Sequence, residues 1–204
     1  MNTGDTAFMM ICAALVFFMT PGLAFFYGGL VRRKNVCNTI MACVAIMGLS
    51  VVMWTLFGYS LSFGGNHAGI IGDFRWFGLN GVGMEAGPYA DSIPHLVFCA
   101  FQMMFAMITP ALITGSLVGR MKFKALFLFV AIWSVIVYYP MTHMVWGDGG
   151  FLAAIGSVDF AGGDVVHISS GISALVLAII LGRRRGYEHT TYRIHNIPSV
   201  VLGA

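Results

Sequence analysis

Five long apolar stretches, separated by short polar or glycine-rich segments, constrain this chain more than any other feature. They lie at about residues 6–30, 38–63, 93–118, 125–145 and 165–181. A helix needs roughly 20 predominantly apolar residues to cross a bilayer, within a range of about 17–25. Only 9% of the residues are charged, whereas a soluble domain carries about 25%. The sequence therefore predicts an all-α membrane protein with five transmembrane helices.

The basic residues lie almost entirely on one side of the five predicted spans. Arg75 falls on the other side, and the ten that share the first side are Arg32, Arg33, Lys34, Arg120, Lys122, Lys124, Arg183, Arg184, Arg185 and Arg193. Because Lys and Arg concentrate in cytoplasmic loops, we predict a multi-pass protein of the plasma (inner) membrane. Its N-terminus would be outside and its C-terminus in the cytoplasm.

The acidic residues favour the opposite side. In this topology all of them except Glu188 fall outside. A negatively charged outer mouth would favour cations, although acidic residues in loops are more often simply solvated.

Five is an odd number of spans, and residues 197–204 begin a sixth apolar stretch. Odd half-units build inverted-repeat transporters, because the second copy then crosses with the opposite orientation, and the pathway lies between the copies. We therefore expect residues 1–204 to form an incomplete domain, namely one repeat and the very start of the next.

The connecting segments carry few motifs. Residues 64–91 are predicted to form a long loop, with short surface or re-entrant pieces around residues 74–79. Pro94 is expected in the first turn of the third helix. The four Cys residues form no CxxC pair, and no H-x-x-E-H, G-x-S-x-G or phosphate-loop motif is present. We expect no metal, no cofactor, no nucleic-acid partner and no enzymatic activity.

The stretch DFAGGDVVHI at residues 159–168 leads into the fifth predicted span. Gly162 and Gly163 free the backbone there, and Asp159 can accept hydrogen bonds from N–H groups of the turn. Asp164 is expected to cap the fifth helix. His167 lies about one turn inside the span, where an ionisable group is costly and therefore a candidate for function. A histidine that only ties two helices together is the alternative. On the helical period His167 shares a face with small residues, which allow another helix to approach closely: Gly171, Ala174 and Ala178.

Two further spans offer aromatic candidates. Gln102, Phe105 and Thr109 share one face of the third helix, either as ordinary packing with hydrogen bonds to neighbouring helices or with Phe105 as an aromatic constriction. Trp146 ends the fourth span, either as an interfacial residue or as a cation-binding face worth about 0.5–2 kcal/mol. Such a contact cannot offset the cost of a bare charge in hydrocarbon, so a protonated solute would need a polar relay such as the imidazole of His167.

At these residues the sequence resembles the ammonium transporter (Amt/Rh/Mep) family. The segments that carry the resemblance are PGLAFFYGGLVRRKN at 21–35, AFQMMFAMITPALITG at 100–115, HMVWG at 143–147 and, most specifically, DFAGGDVVHI at 159–168. The resemblance runs nearly end to end over the chain.

The resemblance implies an eleven-helix, inverted-repeat fold that assembles as a homotrimer with one pore per subunit. Phe105, with Phe101 beside it, would belong to a gate of stacked phenylalanines. Trp146 and Phe105 would contribute aromatic faces to an outer ammonium site. His167 would be the first of two paired pore histidines, and Asp159 would be chiefly structural.

Family members take up ammonium, with net transport of NH3, and methylammonium serves as an analogue. The family's second half, with its outer-site Ser, its other gate Phe and its partner His, would lie beyond Ala204.

Two functions are possible as alternatives to transport. One is an ammonium sensor that binds a PII-type signal protein at its cytoplasmic face, where the basic loops at Arg32 and Arg120 could serve, although lipid headgroups explain those charges equally well. The other is a truncated half that does not conduct.

Overall fold

The computed structural model of the chain describes residues 1–184, 187–189 and 193–204. Arg185, which the topology prediction counts among the cytoplasmic basic residues, lies outside the described residues. Five helical segments are long and apolar enough to cross a membrane, and their bounds are Thr3–Leu30, Arg33–Phe63, His95–Leu117, Phe123–Ala154 and Gly163–Leu181. The predicted all-α fold with five spans is confirmed.

The first two spans differ in regularity. The first is one helix, α1 (Thr3–Leu30), whose first N–H groups are capped by the side chain of Asn2. The second is composed of a 3₁₀ turn (Arg33–Asn35), helix α2 (Val36–Met53), a π turn (Trp54–Gly58) and helix α3 (Tyr59–Phe63).

The loop between the second and third spans contains two short strands that the sequence pattern did not predict. A 3₁₀ turn (Phe77–Leu79) is followed by β1 (Ala86–Gly87) and β2 (Ala90–Pro94), which pair antiparallel. Such short segments, rich in Gly and Pro, carry no alternation of apolar and polar residues. Because β2 keeps Pro94 extended (φ −60°, ψ 142°), the helix begins at the next residue and Pro94 precedes its first turn.

The remaining spans follow in chain order. They are composed of α4 (His95–Leu117), α5 (Phe123–Trp133), a π turn (Ser134–Tyr138), α6 (Tyr139–Trp146), α7 (Phe151–Ala154), a π turn (Gly163–Ile168) and α8 (Ser169–Leu181). A 3₁₀ turn (Tyr187–His189) and helix α9 (Ile197–Gly203) end the described chain.

A proline follows the π turn of the fourth span. Pro140 has no N–H group, and in a regular helix its ring would clash with the carbonyl group of Ile136. The π turn Ser134–Tyr138 ends two residues before it. The wider turn lets the span continue to Trp146 as α6.

Helix α4 lies at the centre, where it packs against α1, α2 and α8. The second and fourth spans meet at Gly58, where an added Cβ would lie 2.6 Å from the Tyr139 ring. Helices α1 and α9 also approach closely, because a Cβ at Gly203 would lie 2.4 Å from the carbonyl oxygen of Gly22. Small residues at these contacts allow backbones to approach, as is usual between membrane helices.

Candidate functional site

The fifth span begins at a turn that is organised by one carboxylate. Asp159 Oδ1 accepts hydrogen bonds from the N–H groups of Gly162 (2.6 Å) and Gly163 (2.8 Å), and Oδ2 accepts from those of Asp164 (2.8 Å) and Val165 (3.0 Å). These N–H groups lack intrahelical partners because they belong to the first turn. Partial burial acts to raise the pKa of the Asp159 carboxyl, but the four donors outweigh it and hold that pKa below its ordinary value.

Capping therefore belongs to Asp159, and the capping role expected of Asp164 is wrong. The Asp164 side chain lies within the turn, and its Oδ2 accepts a hydrogen bond of 2.9 Å from Ser157 Oγ. The backbone freedom expected of two glycines is used at Gly162, which has φ 86° and whose Cβ would lie 2.8 Å from Val166 Cγ2. A Cβ at Gly163 would meet Asp159 Oδ1 at 3.9 Å, which is ordinary contact.

The same turn fixes the ring of Trp146. Its indole Nε1–H donates a hydrogen bond of 2.9 Å to the backbone carbonyl oxygen of Asp159. Phe105 of α4 meets Trp146 edge to face, with ring centroids 6.3 Å apart and an interplanar angle of 67°. Phe101 packs against Phe105 in the same manner, at 5.1 Å and 83°. The third span, the fourth span and the turn before the fifth thus form one connected group.

A cavity of about 330 Å³ adjoins this group, and Phe105 and His167 both line it. Leu23 of α1 and the residues Gly203 and Ala204 contribute to the same lining. His167 lies in the π turn at the start of the fifth span, and its side chain is exposed. We call this space the inner cavity. The inner cavity brings together Phe105 and His167, two of the expected pore residues. Trp146 contacts Phe105, which lines the cavity.

Two further cavities flank the inner cavity. One of about 510 Å³ is lined by Trp146 and by residues of the loop between the second and third spans; we call it the outer cavity, after the side on which the basic-residue pattern predicts it. Another of about 410 Å³ lies at the basic ends of the spans, lined by Tyr27, Arg32 and Leu112. Leu112 also lines the inner cavity. Trp146 of the outer cavity thus contacts Phe105 of the inner cavity, and Leu112 lines both the inner cavity and the cavity at the basic ends.

Two polar side chains lie on the face of α4 next to Phe105. Thr109 Oγ1 donates to the carbonyl oxygen of Phe105 in its own helix, at 2.6 Å. Within the described part of the chain, the buried Gln102 Oε1 accepts no hydrogen bond. The hydroxyl hydrogen of Thr109 is therefore used within α4.

His143, which the sequence analysis names only as part of the motif HMVWG, lies three residues before Trp146 in the fourth span. Its side chain is wholly buried. Nδ1 lies 3.1 Å from the carbonyl oxygen of Ser62, and Nε2 lies 3.3 Å from Asn66 Oδ1. Asn66 Nδ2 donates to the carbonyl oxygen of Gly149 at 2.8 Å. His143 thus ties the end of the second span to the turn that follows Trp146, and its place three residues before Trp146 was the only signal of this in the sequence.

The titratable side chains do not form a metal centre among residues 1–184, 187–189 and 193–204. No group of three or more His, Cys, Asp or Glu in this described set could hold a metal ion.

The five apolar spans, with cavities between them and aromatic rings between the cavities, define a multi-pass helical membrane protein. The family model described as "Ammonium Transporter Family" matches residues 7–204. The chain belongs to the ammonium transporter family, as the sequence motifs predicted.

Relatives and solved structures agree with this membership. The ammonium transporter of Bacillus subtilis (strain 168) is 49% identical over 203 residues, which cover 100% of this chain and 49% of that protein. The crystal structure of the N240A mutant of Candida albicans Mep2 matches with a TM-score of 0.88 and 31% identity, over 100% of this chain and 45% of that chain. A structure titled "Sensor Amt Protein" matches with a TM-score of 0.83 and 29% identity, over 96% of this chain and 49% of that chain. This chain spans about half the length of the curated relatives it matches.

Proposed function

We propose that the protein takes up ammonium, along a route that runs from the outer cavity past Trp146 and Phe105 into the inner cavity beside His167. One observation carries this proposal. Phe105 contacts the Trp146 ring, with centroids 6.3 Å apart, and also lines the cavity that His167 lines. Trp146, Phe105 and His167, which belong to three different spans, therefore follow one another along the proposed route.

Each of these side chains has a distinct task in this route. Trp146 and Phe105 offer aromatic faces to a small cation, which a ring stabilises by about 0.5–2 kcal/mol. That is far less than the cost of moving a bare charge into hydrocarbon. The proton must therefore leave the solute or follow another path, and His167 can accept or donate one. Phe105 and Phe101 restrict the passage, so that a hydrated ion does not pass whole.

The family resemblance supports a proposed assembly, and the charge distribution supports its orientation. We propose a homotrimer in the plasma membrane, with one pore per subunit, the N-terminus outside and the basic ends in the cytoplasm. Residues 1–204 supply one side of each pore in this proposal. The chain covers 49% of the Bacillus subtilis relative, and His167 has an exposed side chain on which a second repeat would pack.

Uptake of methylammonium tests the proposal directly. The gene product that contains this sequence would be expressed in cells that lack their own ammonium transport. We expect Trp146→Leu to raise the apparent KM and His167→Ala to lower the maximal rate or change the selectivity. Equal uptake by both variants and the wild type, at equal amounts in the membrane, would contradict these roles.

Sensing is a second candidate function, because a solved structure titled "Sensor Amt Protein" matches 96% of this chain. In this version the basic loops at Arg32 and Arg120 bind a PII-type signal protein. Reconstituted vesicles distinguish the two functions: ammonium binding with no flux favours sensing, whereas flux that depends on His167 favours transport. The non-conducting alternative predicts a chain that does not assemble, so a monodisperse trimer in detergent would count against it.

A further inference from the structure

The cavity at the basic ends of the spans, of about 410 Å³, contains positive charges that the proposed route does not use. We call it the basic cavity. Three guanidinium groups line it, and they come from separate segments: Arg32 follows α1, Arg184 follows α8 and Arg193 precedes α9. Among the described residues of its lining, none is acidic. The fold therefore brings to one cavity three positive charges that are far apart in the sequence.

The wall of the basic cavity is fixed where α1 meets α4. The Tyr27 hydroxyl group of α1 donates a hydrogen bond of 2.9 Å to the carbonyl oxygen of Leu112 in α4. An added Cβ at Gly115 would lie 2.6 Å from the Tyr27 ring, so the two helices are in close contact there. Helix α1 ends at Leu30, and the half-buried Arg32 follows in the lining. The packing of two helices therefore sets the place at which Arg32 meets the cavity.

Hydrogen bonds hold the segments of the other two arginines against the ends of the same helices. Arg184 Nε donates to the carbonyl oxygen of Val118, directly after α4, at 3.0 Å. The backbone N–H of His195 donates to the carbonyl oxygen of Gly29, near the end of α1, at 3.0 Å. This bond holds the segment that carries the exposed Arg193. A site whose charged groups are held in place in this way loses less conformational entropy when it binds a ligand.

The basic cavity keeps a net positive charge after the helix ends are counted. Leu30 and Val118, at the ends of α1 and α4, belong to its lining, and α8 ends three residues before Arg184. The C-terminus of a helix carries roughly half a negative charge, so three C-termini offset about half of the charge of three guanidinium groups. Glu188, the acidic residue that the topology places on this side, pairs with Arg183 at 3.1 Å. A cavity of this sign favours an anion over a cation.

We propose that the basic cavity binds a phosphate-bearing anion through the guanidinium groups of Arg32, Arg184 and Arg193. The N–H groups of a guanidinium lie in a planar fork that matches the oxygens of phosphate, and the resulting hydrogen bonds are charge-assisted. The cavity volume of about 410 Å³ lies within the range of about 300–1,000 Å³ of small-molecule sites. The headgroup of an anionic phospholipid and dissolved inorganic phosphate present the same kind of oxygens at the predicted cytoplasmic ends of the spans. Binding at this cavity does not depend on the proposed uptake route.

Equilibrium binding to the purified gene product, in detergent at low ionic strength, tests the anion site with two probes. Radiolabelled inorganic phosphate is the dissolved probe. A fluorescent short-chain phosphatidylglycerol is the lipid probe, with the matching phosphatidylcholine as its reference. We expect Arg193→Gln and Arg32→Gln each to weaken binding about three- to tenfold, as the loss of one nearby charge implies. The probe that binds more tightly and responds to these variants identifies the source of the phosphate group.

Arg33→Gln is the matched control for the loss of charge. Arg33 is exposed next to Arg32 in the chain and does not line the basic cavity, so its variant should bind both probes as the wild type does. Arg193→Lys keeps the charge without the planar fork and should weaken binding less than Arg193→Gln does. Because the Arg193 side chain is exposed, both of its variants should unfold at the wild-type temperature, which separates a loss of binding from a loss of the fold.

Three results would overturn the anion site. The first is a wild-type protein that binds neither probe. The second is equal binding of both probes by the wild type and Arg193→Gln. The third is an equal loss of binding in Arg33→Gln, because the effect would then belong to the general excess of basic residues on the cytoplasmic side. Weaker binding in Arg193→Gln and Arg32→Gln, with wild-type binding in Arg33→Gln, would support the site.

Discussion

The indole N–H of Trp146 donates a hydrogen bond of 2.9 Å to the backbone carbonyl oxygen of Asp159. The carboxylate of the same aspartate accepts four backbone N–H groups at the start of the fifth span. One residue therefore orients the aromatic ring and also orders the turn that leads to His167. A change at Asp159 should act on both without touching the solute.

Replacement of the Asp159 carboxylate should destabilise the fold. We expect Asp159→Ala to lower the free energy of unfolding by about 2–4 kcal/mol, because several charge-assisted hydrogen bonds are lost from a partly buried turn. Asp159→Asn keeps the shape but only one accepting oxygen, and its effect should be about half as large. Thermal unfolding in detergent measures both. The contribution of Trp146 to the fluorescence is the difference between each protein and its Trp146→Leu variant, since the chain has four Trp. A difference that stays unchanged in Asp159→Ala would contradict the coupling of turn and ring.

The pH dependence of this turn follows from the pKa of Asp159, which is lower in the folded chain than in the unfolded chain. The carboxylate therefore contributes stability above its unfolded pKa of about 3.9, and this contribution is lost as the pH falls through the lower folded value. Unfolding temperatures of the wild type and Asp159→Asn should differ by a constant amount from pH 5 upwards and converge in stronger acid. A difference that grows between pH 6 and pH 8 would contradict this assignment.

The two glycines of the turn should respond differently to alanine. Gly162 has φ 86° and its Cβ would lie 2.8 Å from Val166 Cγ2, so we expect Gly162→Ala to cost about 1–3 kcal/mol. Gly163→Ala is the matched control and should change stability by less than about 1 kcal/mol. Unfolding midpoints measure both. A larger loss of stability in Gly163→Ala than in Gly162→Ala would contradict the backbone strain assigned to Gly162.

The contact between the second and fourth spans gives another matched pair. An added Cβ at Gly58 would lie 2.6 Å from the Tyr139 ring, whereas a Cβ at Gly48 would meet nothing within 4 Å. Gly58→Ala should therefore cost about 1–3 kcal/mol through overpacking. Gly48→Ala should be neutral or stabilising by up to about 1 kcal/mol. Equal unfolding midpoints for the two variants would argue against this contact.

His143 should be structural in effect although it lies close to the site. Its removal leaves the carbonyl oxygen of Ser62 and the Asn66 side chain without their buried partner. We expect His143→Ala to lower the free energy of unfolding by about 2–4 kcal/mol, while His67→Ala, at an exposed histidine, should have little effect. Thermal unfolding distinguishes the two variants. Equal stability of both would show that the hydrogen bonds of His143 do not stabilise the fold.

The sequence predicts the spans and the candidate residues better than it predicts the contacts. Apolar length and the basic ends determine the five helices, and the motif around Asp159 points to a turn. The strand pair Ala86–Gly87 and Ala90–Pro94 is too short to show an alternation of apolar and polar residues. The His143 contacts join residues far apart in the chain, so no local period reports them. The face shared by Gln102 and Thr109 was ambiguous for the same reason, since helical spacing does not say whether a hydroxyl group bonds its own helix or another.

A structure of the gene product in a lipid nanodisc with methylammonium present would show whether Trp146, Phe105 and His167 lie along one route. We expect protein or ordered solvent against the exposed face of His167, and solute density between Trp146 and the inner cavity. Lipid acyl chains packed against His167, or rings of Phe105 and Trp146 that no longer touch, would contradict it.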